Sequence, residues 1–409
     1  MKKKIAGIFV CLLLIATTLP SFGMVSEKQI DIVYNSQKSG IEWTKIYGGS
    51  DFDFLSSIIS TQDGGYLLAG KTYSWSEGIG DVWLVKTDSE GNEIWNTSFG
   101  GIGIEAGPDI LLQLDDGSYI IPTDTESFGN GDFDIWLIKT DITGNMIWNK
   151  TYGGKGFDFG GNLCETDIGD FLICGTTDSY GLGKTDAWLL KTDSDGNEIW
   201  NKTYGGPDEE WCYSIGATVD DCFILCGDKH ISNKRVAWLF KVDTNGNLIW
   251  EKTYKGKFGE SGGYRAKQSN DGGYVIIGET NVLVLGEIWL GKRDMWLIKT
   301  DTQGDKIWDK KYGRFIFDEG GIDILEISND DFIITGFSRG FGGFIYQSPQ
   351  PPYLKASIIK TDANGNIKGK EYVGDGICYS SAEINDSIFV VAGIKQSGKS
   401  WDGALIKLE

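Results

Sequence analysis

Hydrophobic residues in this chain form short runs that are separated by polar turns. Val82 to Lys86 is an apolar run typical of a strand that is covered on both faces. Thr87 to Asn92 has the Asp, Gly and Asn of a hairpin loop. The spacing of Trp95, Thr97 and Phe99 at every second position predicts a partner strand over 93–99. Two further runs, 55–61 and 66–72, precede this hairpin. The pattern predicts a unit of four antiparallel strands.

This unit recurs along the chain at a spacing of roughly 50 to 60 residues, which is typical of a solenoid, an array or a propeller. No helical period occurs inside the unit, so helical arrays are excluded. Four strands per unit match the blade of a β-propeller, whose closed ring protects the sheet edges. Copies of the last two strands lie at 81–95, 134–148, 186–200, 236–250 and 294–308, with two degenerate copies at 355–368 and 401–409.

The two ends of the repeat region complement each other. Ile41 to Gly49 has the sequence of a fourth strand with no three strands before it, and the sequence printed here stops at Glu409 directly after a third strand. We expect residues 41–47 to complete the last blade and to close the ring. The predicted fold is all-β, a seven-bladed β-propeller of four-stranded antiparallel blades. The expected blades are 50–100, 101–153, 154–205, 206–255, 256–313, 314–373, and 374–409 completed by 41–47.

The residues before the repeats have the pattern of a secretory signal. Met1 to Lys4 is basic, and Ile5 to Leu19 is apolar but too short for a membrane anchor. Ser21 and Gly23 supply small residues for cleavage before Met24, with a retained anchor as the alternative. We expect an exported protein, secreted or held at the cell surface, with a signal peptide at 1–23, a polar leader at 24–40 and a single propeller domain at 41–409.

Charge and cysteine content narrow the class of partners. The formal net charge of −20 disfavours nucleic acid and anionic membrane surfaces. We expect no membrane insertion after signal cleavage, and a monomer.

The spacing of the cysteines cannot settle whether they form disulfides. Cys174 and Cys226 occupy equivalent second-strand positions where small buried residues fit, which favours free thiols in the core. The cysteines after the signal are Cys164, Cys174, Cys212, Cys222, Cys226 and Cys378.

The turn between the last two strands of the unit resembles motifs of known propeller families. Asp-x-x-Gly-Asn-x-x-Trp, within Thr87 to Trp95, resembles the tryptophan-docking repeat of quinoprotein dehydrogenase-like propellers and, more distantly, the Asp-box of sialidase-type propellers. Residues 41–409, with blades that end in Trp-Asn-Lys-Thr-Tyr-Gly-Gly, are similar to exported prokaryotic propeller repeat proteins. The resemblance implies the fold and the packing of Trp between blades. It implies no catalytic residue.

Aromatic residues predict a ligand-binding face. In a propeller, the loops from second to third strand and from blade to blade share one face, where ligands usually bind. All but four of the fifteen Trp residues occupy recurring strand positions, and those four fall in segments assigned to this face. Such rings suit a sugar ring or a peptide side chain, although they could instead cap the blade ends. The expected ligand-binding residues are Trp75, Trp211, Trp289, Phe344, Tyr346, Tyr353 and Trp401.

The same face carries carboxylates. Two of them beside a cleft would suit glycoside hydrolysis, and oxygen clusters would suit calcium. Several recur in register from blade to blade, which favours hydrogen bonding within the loops. His230 is the only histidine, so a zinc or copper cluster of histidines is excluded. We predict no catalytic residue, no metal site and no cofactor, with calcium left open. The acids are Asp51, Asp53, Asp158, Asp208, Glu209, Glu210, Glu260, Asp318, Glu319 and Asp375.

Three functions agree with these observations. The first is an exported binding or interaction protein that recognises a glycan or a protein through the aromatic loop face. The second is a polysaccharide-active glycoside hydrolase of the endoglucanase kind that uses loop carboxylates. The third is a quinoprotein-like oxidoreductase. The single histidine and the regular spacing of the acids favour the first, and the question of enzymatic activity stays open with binding preferred.

Overall fold

The structure, a computed structural model, describes residues 41–408 apart from six short segments. The described residues form β-strands and no helix, so none of them belongs to a helix that could cross a membrane. The strands build seven four-stranded antiparallel blades, which confirms the predicted fold. The segments outside the description are 283–292, 314–316, 328–329, 341–353, 386–387 and 398–399.

The first strand, β1 (Ile41–Tyr47), belongs to the last blade, and blades 1 to 5 follow it as separate sheets in chain order. Blade 1 has β2 (Asp53–Ser60), β3 (Tyr66–Thr72), β4 (Asp81–Thr87) and β5 (Glu93–Phe99). Blade 2 has β6 (Leu112–Gln113), β7 (Tyr119–Thr125), β8 (Asp134–Thr140) and β9 (Met146–Tyr152). Blade 3 has β10 (Asp158–Glu165), β11 (Phe171–Thr177), β12 (Asp186–Thr192) and β13 (Glu198–Tyr204). Blade 4 has β14 (Glu210–Ala217), β15 (Phe223–Ile231), β16 (Lys234–Val242) and β17 (Leu248–Tyr254), and blade 5 has β18 (Ser261–Gln268), β19 (Tyr274–Asn281), β20 (Arg293–Thr300) and β21 (Lys306–Tyr312).

Blades 6 and 7 share one long strand. Blade 6 begins with β22 (Phe317–Glu326), β23 (Phe332–Gly340) and β24 (Leu354–Thr361). The first half of β25 (Ile367–Asn385) pairs with β24, and its second half pairs with β26 (Ile388–Ser397) of blade 7. β27 (Ser400–Leu408) then pairs with β1, in a register that places Trp43 opposite Lys407 and Tyr47 opposite Gly403. The predicted closure of the ring by residues 41–47 is confirmed.

The hydrophobic core lies between neighbouring blades. Every residue of β4 is buried, as the continuous apolar run of this strand predicts. One core cluster joins Leu67 of blade 1 to Trp136 of blade 2, and another joins Cys174 of blade 3 to Trp238 of blade 4. Cys174 and Cys226 are fully buried, which confirms the core position expected for both side chains. Each blade therefore depends on its neighbours for burial of its own apolar faces.

A recurring contact joins the outer strand of one blade to the turn of the next. The Trp148 ring lies against Gly196, where a Cβ atom would be 3.0 Å from the ring. Tyr152 Oη donates to the Gly196 carbonyl at 2.5 Å, and Lys150 Nζ donates to Asn197 Oδ1 at 3.4 Å. Gly196 has φ of +74°, a conformation that glycine adopts without strain. We call this set of contacts the outer clasp, and it accounts for the repeated Trp-x-Lys-x-Tyr spacing.

The residue after the clasp Trp has a partner within its own blade. Trp136 Nε1 of the third strand donates to Asn149 Oδ1 of the fourth at 3.0 Å. In blade 4, Trp238 Nε1 donates to Glu251 Oε2 at 2.8 Å. Because this position needs only an acceptor, an acid can replace Asn. The repeated Trp-Asn pair therefore joins two adjacent strands and leaves the neighbouring Lys and Tyr to reach the next blade.

Six of the seven blade junctions have the Trp–Gly contact of the outer clasp. The junction from blade 6 to blade 7 differs, because Gly369 stands in the Trp position of β25. There one uninterrupted strand, β25, pairs with β24 of blade 6 through its first half and with β26 of blade 7 through its second half. The six contacts are Trp43–Gly91, Trp95–Gly144, Trp148–Gly196, Trp200–Gly246, Trp250–Gly304 and Trp308–Gly365.

In blades 1, 3, 4 and 5 a third-strand lysine joins the two turns at the opposite end of the blade. Lys86 is 2% exposed, and its Nζ lies 2.9 Å from Asp63 Oδ2 and donates to the Thr87 carbonyl at 2.9 Å. The hydrogen bonds from Thr61 and Lys86 lower the pKa of Asp63 to about 2, against the effect of burial. This pairing gives a physical reason for the repeated Lys-Thr-Asp. The equivalent pairs are Lys191–Asp170, Lys241–Asp220 and Lys299–Asp271.

The clasp hydroxyl can be tested by two reciprocal substitutions. Tyr204→Phe removes the hydroxyl that donates to the Gly246 carbonyl at 2.6 Å and leaves a buried acceptor unpaired. We expect the free energy of unfolding in urea to fall by about 1 kcal/mol. Phe99 occupies the same position on blade 1, so Phe99→Tyr is expected to keep the stability or raise it by up to about 1 kcal/mol. Equal stability of Tyr204→Phe and the parent would show that this hydrogen bond contributes nothing.

Candidate ligand-binding face

The loops between second and third strands and the loops between blades lie on one side of the ring, which we call the upper face. Three of the seven predicted ligand-binding residues are described there. Trp75 is 44% exposed and contacts Trp83, Trp211 is half-buried and stacks on Tyr213, and Trp401 is half-buried at the start of β27. They lie on blades 1, 4 and 7, so they do not form one contiguous cluster. Trp289, Phe344, Tyr346 and Tyr353 lie outside the described residues.

Trp75 occupies a recurring position that a search for Trp alone does not reveal. Phe128 and Tyr180 stand at the same place in the loops of blades 2 and 3 and are each 42% exposed. Their rings lie 5.0 Å from Trp136 and 5.5 Å from Trp188, as Trp75 lies 5.3 Å from Trp83. These rings cap the third-strand Trp of their own blades, and one face of each stays open to solvent.

Two denser aromatic clusters lie at the inner edge of the upper face. The blade 1 cluster consists of Phe52, Phe54 and Tyr73, with Phe52 5.8 Å from each of the other two rings. Its ring Phe54 is also 6.2 Å from Tyr379 of blade 7. The blade 3 cluster consists of Phe157 and Phe159 of blade 3 together with Phe133, which directly precedes β8 of blade 2, and its ring centroids are 4.9 to 5.3 Å apart.

Both clusters derive from one sequence motif. Phe-Asp-Phe occurs at 52–54 and again at 157–159, where each first strand begins. Residues at alternate positions of a strand point to the same side, so the two Phe of each motif share one face. Phe52 and Phe157 are each 39% exposed. The alternation in this motif is the signal that could have identified the clusters from the sequence.

The Asp of each motif holds the adjacent loops in place. Asp158 is fully buried and accepts hydrogen bonds from the Gly154 amide at 2.6 Å, from Ser179 Oγ at 2.7 Å and from Thr177 Oγ1. Asp53 accepts the equivalent three bonds in blade 1. For these two acids the interpretation as hydrogen-bonded loop residues is confirmed.

Other predicted acids on this face also have partners. Glu210 is buried and accepts the Gly206 amide at 2.9 Å, and burial raises its pKa. Lys184 Nζ lies 3.0 Å from Glu209 and holds the pKa of that carboxyl below its usual range. His230 Nδ1 lies 3.1 Å from the Glu209 carbonyl oxygen. These contacts fix loops between blades.

A cavity of about 250 Å³ lies on the axis of the ring. The first strands are innermost and touch one another, as the hydrogen bond from the Ala266 amide to Ser214 Oγ at 3.1 Å shows. Six of the first strands carry a β-bulge at equivalent positions, and in each of them the bulge residue is directed toward the axis. The bulge residues are Ser56, Gly161, Tyr213, Tyr264, Ile322 and Tyr379.

Charged pairs surround this axial cavity. Arg265 Nη1 lies 2.9 Å from Asp323 Oδ1. Arg235 bridges Asp228, at 3.2 Å, and Glu279. Burial raises the pKa of Asp228 to about 6 even though Arg235 opposes the shift. The pairs hold blades 4, 5 and 6 together around the axis.

A second cavity lies away from the upper face. It measures about 310 Å³ and is formed by turns of blades 3 and 4 at the opposite end of the ring. Lys191 on its wall pairs with Asp170 at 3.0 Å, and burial raises the pKa of the Cys222 thiol. The thiol is therefore not activated. Within the described ranges, no group of three or more His, Cys, Asp or Glu side chains could hold a metal ion.

Comparison with known proteins supports the fold alone. No model of a protein family and no curated protein matches this chain. A protein of unknown function from Dyadobacter fermentans is 13% identical, with 90% of this chain and 98% of that chain covered and a TM-score of 0.50. The WD40 domain of Neurospora crassa Pan2 is 10% identical, with 87% and 89% covered and a TM-score of 0.53. A chain in the complex of Drosophila Plexin A with Semaphorin 1b is 8% identical, with 90% and 87% covered and a TM-score of 0.50.

The bracing role of Asp158 predicts a stability effect. Asp158→Ala leaves three donors without their acceptor, and we expect the free energy of unfolding to fall by about 2–4 kcal/mol. Asp132→Ala removes an exposed acid from the same face and is expected to change it by less than about 0.5 kcal/mol. Chemical denaturation measures both variants. A parent-like stability for Asp158→Ala would contradict the bracing role and make this carboxylate available for chemistry.

Proposed function

We propose that this protein is an exported binding protein that recognises a glycan at the inner edge of its upper face. The observation that carries the proposal is the pair of partly exposed three-ring clusters at blades 1 and 3, the first of which contacts Tyr379 at the axial cavity. Exposed aromatic patches of this kind mark interaction sites on soluble proteins. Aromatic faces also pack well against the apolar face of a sugar ring.

Polar groups beside the clusters support a glycan rather than a purely apolar ligand. Asp178 is exposed and accepts the Phe157 amide at 2.6 Å, so this carboxylate lies beside the blade 3 cluster. Asp51 is exposed next to Phe52. A few polar groups around an aromatic platform give orientation to a bound ligand. A protein ligand remains the other outcome of the test below.

The proposal is binding without catalysis. Glycoside hydrolysis needs one carboxylic acid to donate a proton and a second carboxylate to act opposite it. Asp53 and Asp158 are fully buried next to the clusters, and the oxygens of both carboxylates accept hydrogen bonds from loop donors. No observation on the described residues favours the hydrolase or the oxidoreductase over a binding protein.

Export is part of the same proposal and predicts a defined mature chain. Cleavage after Gly23 would leave a protein that begins at Met24. Intact-mass measurement of the protein recovered from outside the cell is expected to match residues 24–409. A mass that includes residues 1–23 would contradict cleavage and favour a retained anchor.

Glycan arrays test the binding face with matched variants. Phe52→Ala and Phe157→Ala each remove a partly exposed ring from one cluster, and we expect glycan binding to weaken at least about tenfold. Phe128→Ala removes an equally exposed ring from the outer part of the same face and is the control. Trp75→Ala and Trp401→Ala test the positions expected from the sequence. Unchanged binding by both Phe variants would contradict the cluster as the site.

Failure to bind any glycan would have a separate meaning. If the folded parent binds no glycan, the glycan assignment is wrong. Capture of a protein ligand that Phe52→Ala and Phe157→Ala both lose would then support the same face with a different class of ligand. Thermal unfolding of each variant distinguishes a lost contact from a lost fold.

A further inference from the structure

The axial cavity has aromatic walls that come from different blades. Tyr213 of blade 4 and Tyr264 of blade 5 lie edge to face, with centroids 5.7 Å apart. Tyr379 of blade 7 lines the same cavity and contacts Phe54 at its upper end. Burial raises the pKa of all three phenols, that of Tyr379 to about 12, so they stay neutral at physiological pH. The ring faces therefore surround a space without phenolate charge.

One carboxylate enters this aromatic space. Asp109 of blade 2 lines the cavity, and its carbonyl accepts Arg265 Nη2 from blade 5 at 3.3 Å across the axis. The surrounding protein raises the pKa of Asp109, and Arg265 opposes the shift. Asp109 in turn adds to the raised pKa of Tyr379, so the two side chains are close in space. Asp109 is also exposed to solvent in the cavity.

The other charges at the cavity are already matched. Arg265 pairs with Asp323 at 2.9 Å, and Glu279 accepts from Arg235 and from Arg293, the latter at 2.5 Å. Lys267 lies 4.0 Å from Asp323. Among the described residues that line the cavity, Asp109 is the carboxylate without an ion-pair partner within 4.0 Å. A carboxylate that has no ion-pair partner and lies beside aromatic rings attracts a bound cation, which the ring faces attract as well.

We propose that the axial cavity binds a small organic ammonium ion, with its charge at Asp109 and its alkyl groups against Tyr213, Tyr264 and Tyr379. Aromatic faces attract ammonium groups through their quadrupoles, and the attraction grows when water is excluded. The cavity volume of about 250 Å³ suits a ligand of a few carbon atoms rather than a polymer. The formal net charge of −20 also attracts cations from solution. This site is distinct from the aromatic clusters, and it does not depend on the proposed glycan ligand.

Calorimetric titration with two ammonium ions and their neutral counterparts tests the charge requirement. The mature protein is titrated with tetramethylammonium and n-butylammonium chloride, and with tert-butanol and 1-butanol. We expect at least one ammonium ion to bind at least tenfold more tightly than its neutral counterpart. Equal affinity for the neutral alcohol would show a merely apolar cavity and overturn the proposal. Absence of ammonium binding up to 10 mM, about the weakest useful range for such a site, would also overturn it.

Substitutions locate the site. Asp109→Asn keeps the shape of the side chain and removes its charge, and we expect affinity for the ammonium ion to fall at least tenfold. Asp115→Asn removes an exposed acid from a turn of the same blade and is the control, with parent affinity expected. Parent-like binding by Asp109→Asn, or an equal loss in Asp115→Asn, would contradict the assignment to Asp109.

The aromatic wall and the pH profile give independent measurements if Asp109→Asn does not fold. Tyr379→Phe keeps the ring and should retain affinity within twofold, whereas Tyr379→Leu should lose at least fivefold. Affinity should also decline as the pH is lowered and Asp109 becomes protonated. Because the pKa of Asp109 is raised, this decline should begin at a higher pH than for an ordinary aspartate. Arg265, Asp124 and Tyr379 face this carboxyl, and of these three groups Asp124 is the other carboxyl whose pKa is raised by burial. Equal loss in both Tyr379 variants, or affinity that does not change with pH, would overturn the proposal.

Discussion

The packing of an outer-strand Trp on a turn glycine of the next blade is the interaction on which the structure depends. The glycine has positive φ and no Cβ, so an indole ring can lie directly against its backbone. The neighbouring Tyr and Lys add hydrogen bonds to the same turn. Because this contact recurs at six junctions, each blade meets the next in nearly the same way. Repetition of one interface by a constant rotation closes a ring when the rotation fits.

Closure of the ring determines where the functional groups lie. The clasp works at the outer edge, and the first strands are brought together at the axis, where their bulge residues meet. Those positions are not constrained by the clasp, so they vary from Gly161 to Tyr213 and Ile322. The loops of the upper face are held by buried acids such as Asp53 and Asp158. A regular outer wall thus supports an irregular inner surface, where recognition of a ligand can be specific.

The junction between blades 6 and 7 is the exception that follows from closure. A ring must join its two chain ends somewhere, and here β1 completes blade 7 from the other end of the repeat region. Blade 7 therefore has no turn between its third and fourth strands, and the clasp has no glycine to pack against. The 19-residue strand β25 replaces the clasp by running through both blades. An uninterrupted strand gives this junction a different kind of support from the outer clasp of the other six.

Local pattern alone determined the repeating unit, its turns and the matching chain ends, because strand periodicity, turn chemistry and an indole at fixed spacing are properties of neighbouring residues. The role of the regularly spaced acids was predictable for the same reason. The inner surface was not. Phe54 and Tyr379 are separated by most of the chain, and Asp109 meets Arg265 across the axis only after the ring has closed. A search for Trp found capping rings such as Trp75, whereas the cavity and both aromatic clusters depend on bulges and blade order, which are set by tertiary packing.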